Sequence, residues 1–210
     1  MPIFDEALLR EGLDLLGITA SEEQIRSLRL YTLELEAWNS RMNLVGGTLS
    51  DFTVRHLLDC LSALPVLESL PHACIADIGS GAGLPGIPLA VAMPETEAVL
   101  IERSGKKAGF LRSSAAVLGL GRVRVIEKPY ETVRERFQLV TCRAFAAISA
   151  LLPAVRLMLE PGGAFAAYKG KREEVERELG EAGIAGRENV SVIELKVPYL
   201  NEQRHLVVIR

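Results

Sequence analysis

The chain has 210 residues, of which 49% are hydrophobic and 24% charged, and its formal net charge is -3. These values indicate a soluble globular protein with one domain and a modest extension. The sequence has no uninterrupted stretch of about 18 apolar residues without Gly and Pro, and its first ten residues lack the basic start and apolar run of a secretory signal. We therefore expect a cytoplasmic protein with no membrane partner.

The cysteines and the distribution of charge indicate which kinds of site this protein can contain. The three cysteines, Cys60, Cys74 and Cys142, form no CxxC pair, so we expect buried thiols, no disulfide and no metal site. Residues 1–70 carry five basic and eleven acidic side chains, whereas residues 102–128 carry seven basic and two acidic ones. Such a local basic face can attract phosphates although the whole chain is acidic; the alternative is a solvated helix face.

The first part of the chain has the pattern of helices. The apolar residues from Asp5 to Leu16 recur with helical periodicity, and the pattern stops at Gly17, a residue favourable just after a helix C-terminus. The stretch Ser21–Gln24, "SEEQ", fits a capping box before a long amphipathic helix. The glycines of "NLVGGT" end that helix, and Ser50 can cap a third one that stops before Pro65.

From Ala73 onward, short apolar runs alternate with helical patterns, which predicts a parallel sheet covered on both faces. The predicted strands are Cys74–Ile78, Ala98–Ile101, Val123–Ile126, Leu139–Cys142 and Ala164–Tyr168. The predicted helices are Gly86–Ala92, Gly105–Leu118, Ile148–Leu159 and Arg172–Ala182. The stretch "EPGG", Glu160–Gly163, reads as a sharp turn. We therefore predict an N-terminal helical region over residues 1–70 and an α/β domain over residues 71–210.

The end of the chain departs from this alternation. The stretches "SVIELKV" and "HLVVIR" read as strands joined by "PYLNEQR", which is too short for a parallel crossover. The sequence thus predicts a mostly parallel doubly wound sheet that ends in an antiparallel hairpin.

A glycine-rich stretch, "DIGSGAGLPG" (Asp77–Gly86), directly follows the first strand and precedes a helix. This arrangement lets the backbone approach a nucleotide-like ligand at the carboxyl edge of the sheet. Glu102 ends the next strand, where it can accept hydrogen bonds from both hydroxyls of a ribose. The alternative is a structural turn and an exposed Glu.

The glycine spacing separates two classes of adenosine-cofactor enzyme. It is G-x-G-x-G, so no glycine falls at the third position of the dinucleotide fingerprint. Together with the terminal hairpin, this favours a Rossmann-like class I fold that binds S-adenosylmethionine (SAM). A nicotinamide oxidoreductase remains the enzyme alternative, and an inactive SAM-sensing protein that binds partners through its helices remains the binding-module alternative.

Several motifs in order resemble the bacterial ribosomal RNA small subunit methyltransferase G family, also called glucose-inhibited division protein B. They are "WNSRMNLVG", "VRHLLDCL", "DIGSGAGLPGIPLA", "LIERSGKKAGFL", "CRAFA", "YKG" and "QRHLV". The resemblance implies SAM-dependent methylation of guanine N7 in a conserved loop of small-subunit (16S) RNA. Its substrate would be the naked RNA or the 30S particle, and we expect a monomer.

The resemblance also implies roles for individual residues. Gly79 and Leu84 would line the methionine side of the cofactor, the turn from Lys128 to Glu131 would wrap the adenine, and Arg143 would reach the cofactor. The complete predicted cofactor set is Asp77, Gly79, Gly81, Gly83, Leu84, Glu102, Pro129, Tyr130 and Arg143.

The sequence departs from the family pattern at two places, Glu102 and the pair Pro129 and Tyr130. Glu102 replaces the common Asp and keeps the acceptor. Pro129 and Tyr130 stand where relatives commonly have a small residue and Glu, so either the Tyr130 ring stacks on adenine or Glu131 takes the role of the carboxylate.

Guanine N7 carries a lone pair and no proton, so its methylation needs orientation rather than a general base. We accordingly predict no catalytic triad and assign catalysis to Arg143. Its guanidinium could bind the methionine carboxylate or donate to guanine O6; the alternative is a salt bridge to Glu102 or Asp77. Phe145 could stack on an extruded base or belong to the core.

The predicted RNA contacts are basic side chains from separate parts of the sequence. Phosphate binding by them would make affinity fall steeply with salt. They are Arg55, His56, Lys106, Lys107, Lys169, Arg204 and His205.

Overall fold

The computed structural model describes residues 3–45, 51–187 and 189–210. Helix α1 spans Glu6–Leu15, with Asp5 as its N-cap, and α2 spans Glu22–Met42. The predicted capping box is present, since the side chains of Ser21 and Gln24 each accept the other residue's backbone N–H. The predicted glycine break and the Ser50 cap lie outside the described residues.

The next helical stretch differs from the single helix that we predicted. A π-helical segment, Thr53–Leu58, leads into α3, Asp59–Leu61, and then α4, Leu64–Glu68. Pro65 does not end the helical region, because it lies in the first turn of α4, where a missing N–H costs nothing.

The α/β part contains strands and helices close to the predicted bounds. The strands are β1 Cys74–Ile78, β2 Glu97–Ile101, β3 Val123–Ile126, β4 Phe137–Arg143, β5 Leu159–Lys169, β6 Val190–Leu195 and β7 Arg204–Ile209. The helices are α5 Gly86–Ala92, α6 Gly105–Val117, α7 Ile148–Met158 and α8 Arg172–Glu181. A 3-10 helix covers Tyr130–Thr132.

Within the described residues, the strands form one sheet in the order β3-β2-β1-β4-β5-β7-β6. Strands β1 to β5 pair in parallel, and β7 is antiparallel to both β5 and β6. The predicted doubly wound sheet with a terminal antiparallel hairpin is therefore confirmed. The strand order reverses between β1 and β4, and ligands bind such sheets at the carboxyl ends beside this point.

We predicted that Glu160–Gly163 forms a turn before the strand, and this prediction is wrong. The stretch lies inside β5, where the pairing with β4 shifts register between Phe137 and Leu139. Gly162 has a positive φ of 80°, which an L side chain rarely adopts. The chain thus makes its bend as an irregularity within the ladder.

The N-terminal helices share a hydrophobic core with the α/β part. The same cluster contains Leu9, Leu35 and Leu58 from the helices and Phe110 and Leu111 from α6. The predicted division near residue 70 coincides with the end of α4, but packing crosses it and fixes the helices against the sheet's glycine edge.

Candidate functional site

The glycine loop adopts backbone conformations that require glycine. Gly79, Gly81 and Gly83 have φ values of 68°, 55° and 85°, and side chains at such angles cost roughly 1–2 kcal/mol. The backbone N–H groups of Gly79 and Ser80 both donate to the Ile101 carbonyl, at 2.9 Å and 3.1 Å. These bonds hold the loop at the carboxyl ends of β1 and β2.

A cleft of about 560 Å³, called here the first cleft, opens in front of this loop. Its volume is within the range of small-molecule sites. Residues on its walls include Gly79, Gly81, Leu84, Glu102, Lys107, Lys128, Pro129, Tyr130, Glu131, Arg143 and Phe145. The structure thus brings together at one cleft most of the residues predicted to bind a cofactor.

Asp77 and Gly83 do not line the first cleft, in contrast to our prediction; they shape the loop from behind. Asp77 is 1% exposed, and its Oδ2 accepts the N–H of Gly86 at 3.3 Å. Burial raises the pKa of the Asp77 carboxyl to about 7. A Cβ on Gly83 would collide with the side chain of Ile87, so this glycine permits close packing of the loop on α5.

Glu102 lies at the cleft with its carboxylate fixed by backbone donors. Its Oε2 accepts the Gly81 N–H at 3.0 Å and its Oε1 accepts the Ser104 N–H at 2.8 Å. A carboxylate has about four lone-pair sites, so acceptor capacity remains for the hydroxyls of a ribose. The predicted ribose contact stays a prediction.

Two aromatic rings meet in the first cleft. Tyr130 contacts Phe145 edge to face, with ring centroids 5.4 Å apart and an interplanar angle of 81°. Phe145 is 42% exposed, so it is not a core residue, and its ring lies against Gly79 where a Cβ would stand. Tyr130 and Glu131 both line the cleft, so the choice between a stacking ring and a carboxylate for the adenine stays open.

Arg143, the last residue of β4, contacts the N-terminal helical region. Its Nη1 donates to Asp59 Oδ2 at 2.6 Å, and its Nη2 lies 2.6 Å from His56 Nδ1. Burial and neighbouring arginines lower the pKa of His56 to about 3, so the ring is neutral and Nδ1 can accept. The expected alternative of an ion pair with Glu102 or Asp77 is wrong, because the carboxylate partner is Asp59.

A second cleft, of about 550 Å³, adjoins the first. His56, Arg143 and Ala144 line both clefts. The remaining residues of the second cleft are Asp51, Arg55, Asp59, Tyr168, Lys169, Gly170, Glu174, Leu195, Arg204 and His205. Five of the seven predicted RNA contacts therefore lie together here, although they come from distant parts of the sequence.

Acidic neighbours already pair with several of these cations. Arg55 contacts Glu202 at 2.7 Å and Lys169 contacts Glu178 at 2.8 Å. Arg204 Nε lies 3.3 Å from Asp59 Oδ1. His205 is buried, with Nδ1 2.6 Å from the Gly170 carbonyl, which makes it a local structural contact as well as a cleft residue.

The basic run at residues 102–128 divides in the fold. Arg112, Arg122 and Arg124 form ion pairs with Glu127, Glu95 and Glu97, respectively, and Arg124 also pairs with Glu135. The positive face is thus weaker than its residue count suggests. Lys107 lines the first cleft, and the preceding residue, Lys106, is exposed.

Asp59 is the site residue that sequence reasoning missed. It is 5% exposed, and burial raises the pKa of its carboxyl although Arg143 and Arg204 oppose the shift. The motif "VRHLLDCL" contains it three residues after His56, but a single acidic residue on a helix gives no signal of its partner.

The three thiols differ in burial. Cys60 and Cys142 are buried, and burial raises the pKa of each to about 12; Cys74 is only partly buried, in contrast to our prediction. Across the described ranges, no three His, Cys, Asp or Glu side chains are grouped to hold a metal ion. None of the helices described there has the length and apolar character needed to cross a membrane.

Together, the strand order, the antiparallel terminal hairpin and the glycine loop facing an acidic residue define a Rossmann-like SAM-dependent methyltransferase. Solved structures support this fold. The magnesium protoporphyrin IX methyltransferase of Synechocystis PCC 6803 with bound SAM matches with a TM-score of 0.57 at 17% identity, covering 91% of this chain and 98% of that one. The tRNA (m1A58) methyltransferase of Aquifex aeolicus matches with a TM-score of 0.57 at 16% identity, covering 73% and 68%.

Sequence comparison identifies the family. The model of rRNA small subunit methyltransferase G matches residues 24–207. The protein of that name from Nitrosococcus oceani is 37% identical over 100% of this chain and 97% of its own length. That from Treponema pallidum (strain Nichols) is 39% identical over 97% and 93%. The chain belongs to the rRNA small subunit methyltransferase G family, which confirms the predicted family, the methyltransferase class and SAM as cofactor.

Proposed function

We propose that this methyltransferase transfers the methyl group of SAM to N7 of a guanine in small-subunit (16S) ribosomal RNA. The observation that carries the proposal is the junction of the two clefts at His56, Arg143 and Ala144. One cleft faces the glycine loop, and the other contains most of the predicted RNA contacts. A cofactor in the first and a nucleotide in the second would meet beside Arg143.

The residues of the first cleft fit the cofactor. Gly79 and Gly81 present backbone without Cβ atoms, and the buried Glu102 carboxylate is fixed for hydroxyl groups. Leu84 and Tyr130 add apolar surface. When bound, SAM supplies an electrophilic methyl group on a sulfonium.

The chemistry of N7 matches the side chains at the junction. N7 offers a lone pair and no proton to remove, so the chain's task is to orient the base and exclude water. The neutral His56 and the Arg143 guanidinium can donate to acceptors on the major-groove edge of guanine, where O6 lies next to N7. Transfer to an exocyclic amine would favour a residue that accepts a proton. The end of β4 has Arg143-Ala144-Phe145 in place of the Asn/Asp-Pro-Pro-aromatic turn that orients amines.

A covalent mechanism, as used for methylation at carbon, is disfavoured by the state of the thiols. Cys142 is 1% exposed and precedes Arg143 on β4. Because burial raises its pKa to about 12, its thiolate is scarce at neutral pH. Cys60 is also buried, and burial raises the pKa of its thiol to about 12 as well.

Labelled methyl transfer tests the proposal. Purified protein and methyl-labelled SAM are incubated with small ribosomal subunits that lack the modification, and in parallel with the naked RNA. We expect label at guanine N7, identified by nuclease digestion and by strand scission specific for that modification. Label on an amino group or on carbon would refute the position, and the two substrates distinguish RNA from assembled particle.

A further inference from the structure

Asp59 is a buried carboxylate that bridges two arginines from different strands. It begins α3, directly after the π-helical segment Thr53–Leu58. Its Oδ2 accepts from Arg143 at 2.6 Å, and its Oδ1 lies 3.3 Å from Arg204 Nε. Within the described residues Oδ1 makes no well-aligned hydrogen bond. The carboxylate thus ties the helical region to the end of β4 and the start of β7.

The orientation of Arg143 depends on this region. Its Nη1 also donates to the Arg55 carbonyl at 3.2 Å, and its Nη2 contacts His56. The side-chain hydrogen bonds that Arg143 makes in the described chain therefore all go to residues 55–59. Of these partners, Asp59 alone supplies a negative charge.

The burial of this pair argues that its geometry matters. The side chains of Arg143 and Asp59 are 14% and 7% exposed, and a buried ion pair is weak evidence for stability because desolvation offsets the attraction. A π-helical turn next to it is a second irregular feature, and such turns occur often at functional sites. Both features lie where the two clefts meet.

We infer that Asp59 is a positioning residue, which fixes the Arg143 guanidinium at the junction of the two clefts so that methyl transfer depends on Asp59 through Arg143. This inference rests on the proposed function for the role of Arg143. The Asp59 carboxylate oxygens lie against Arg143 and Arg204, so the role assigned to Asp59 is to act through Arg143.

A double-mutant cycle tests the inference. Asp59→Asn, Arg143→Lys and the double variant are compared with the parent in single-turnover transfer of labelled methyl at saturating SAM and RNA. The matched control is Glu68→Gln, which also removes one carboxylate charge but at an exposed position of α4. We expect Asp59→Asn to lower the rate about tenfold and the double variant to stay within about threefold of Arg143→Lys alone.

Two further measurements separate positioning from loss of structure. The Kd for SAM should change by less than about threefold in Asp59→Asn, so the loss falls on the transfer rate, and each variant is assayed well below its unfolding midpoint. If Asp59→Asn does not fold, Asp59→Glu takes its place, since it keeps the charge but displaces the guanidinium by a methylene. The same non-additivity with Arg143→Lys is expected.

Additive losses, or an unchanged rate in the Asp59 variant, would overturn the inference. The cycle counts total methyl incorporated, so an error in the assignment of N7 would leave its outcome intact. If the parent transferred no methyl to RNA, the proposed function would fail, and the same cycle would be measured on the affinity for small-subunit RNA. Additive effects on that affinity would overturn the inference there as well.

Discussion

Replacing Asp77 with Asn tests the account of the glycine loop. Asp77 is buried behind the loop, where its carboxylate accepts the Gly86 N–H at 3.3 Å and lies 3.4 Å from the Thr141 hydroxyl. An Asn amide has nearly the same shape and can accept the same N–H. The substitution therefore removes the titrating charge and keeps the packing.

The magnitude follows from the pKa of the Asp77 carboxyl. Burial raises it from 3.8 to about 7, so between these values the folded protein holds a proton that the unfolded chain releases. The free energy of unfolding thus falls as pH rises through this window, by about 1.4 kcal/mol per pH unit. Between pH 5 and pH 7 the loss is roughly 2 kcal/mol, because the slope halves where the pH reaches the folded-state pKa, and above about pH 8 the free energy of unfolding no longer changes.

Urea unfolding of the parent and of Asp77→Asn at half-unit pH intervals measures this effect. We expect the variant to gain roughly 2 kcal/mol relative to the parent between pH 5 and pH 7. Glu68→Gln, which removes an exposed carboxylate, controls for the change in net charge. A difference between parent and Asp77→Asn that stays flat with pH would refute the buried, proton-binding carboxyl.

Three further predictions concern the first cleft. Glu102→Ala should raise the Kd for SAM at least about tenfold by calorimetry, and Glu102→Asp should stay within about threefold; equal affinity in Glu102→Ala would remove the ribose role. Gly79→Ala should lower the unfolding midpoint, because the positive φ costs roughly 1–2 kcal/mol and the new Cβ meets Phe145; adding Phe145→Ala should restore the steric part only, and full recovery would contradict the backbone strain. Lys107→Ala should weaken RNA binding and reduce the slope of log affinity against log salt by about one. The same measurement is made on Lys106→Ala, which changes the exposed neighbouring lysine, and unchanged slopes in both variants would place these lysines outside the RNA interface.

Local signals were sufficient for most of the fold. The predicted bounds of Cys74–Ile78, Val123–Ile126 and Gly86–Ala92 agree with the structure, since short apolar runs and helical periodicity encode them directly. The capping box at Ser21 is equally local. The prediction of a turn at Glu160–Gly163 is wrong, because a strand that shifts register has the same Pro and Gly composition as a turn.

The sequence by itself determined the glycine loop, the acidic residue of the next strand and the family, because each is carried by residues close together in the chain. Tertiary structure alone decided that Asp77 supports the loop from behind and that Arg143 pairs with Asp59, 84 positions away. It also decided that separate basic residues share the second cleft. Such contacts depend on how helices pack on a sheet edge, and no local periodicity or composition records that geometry.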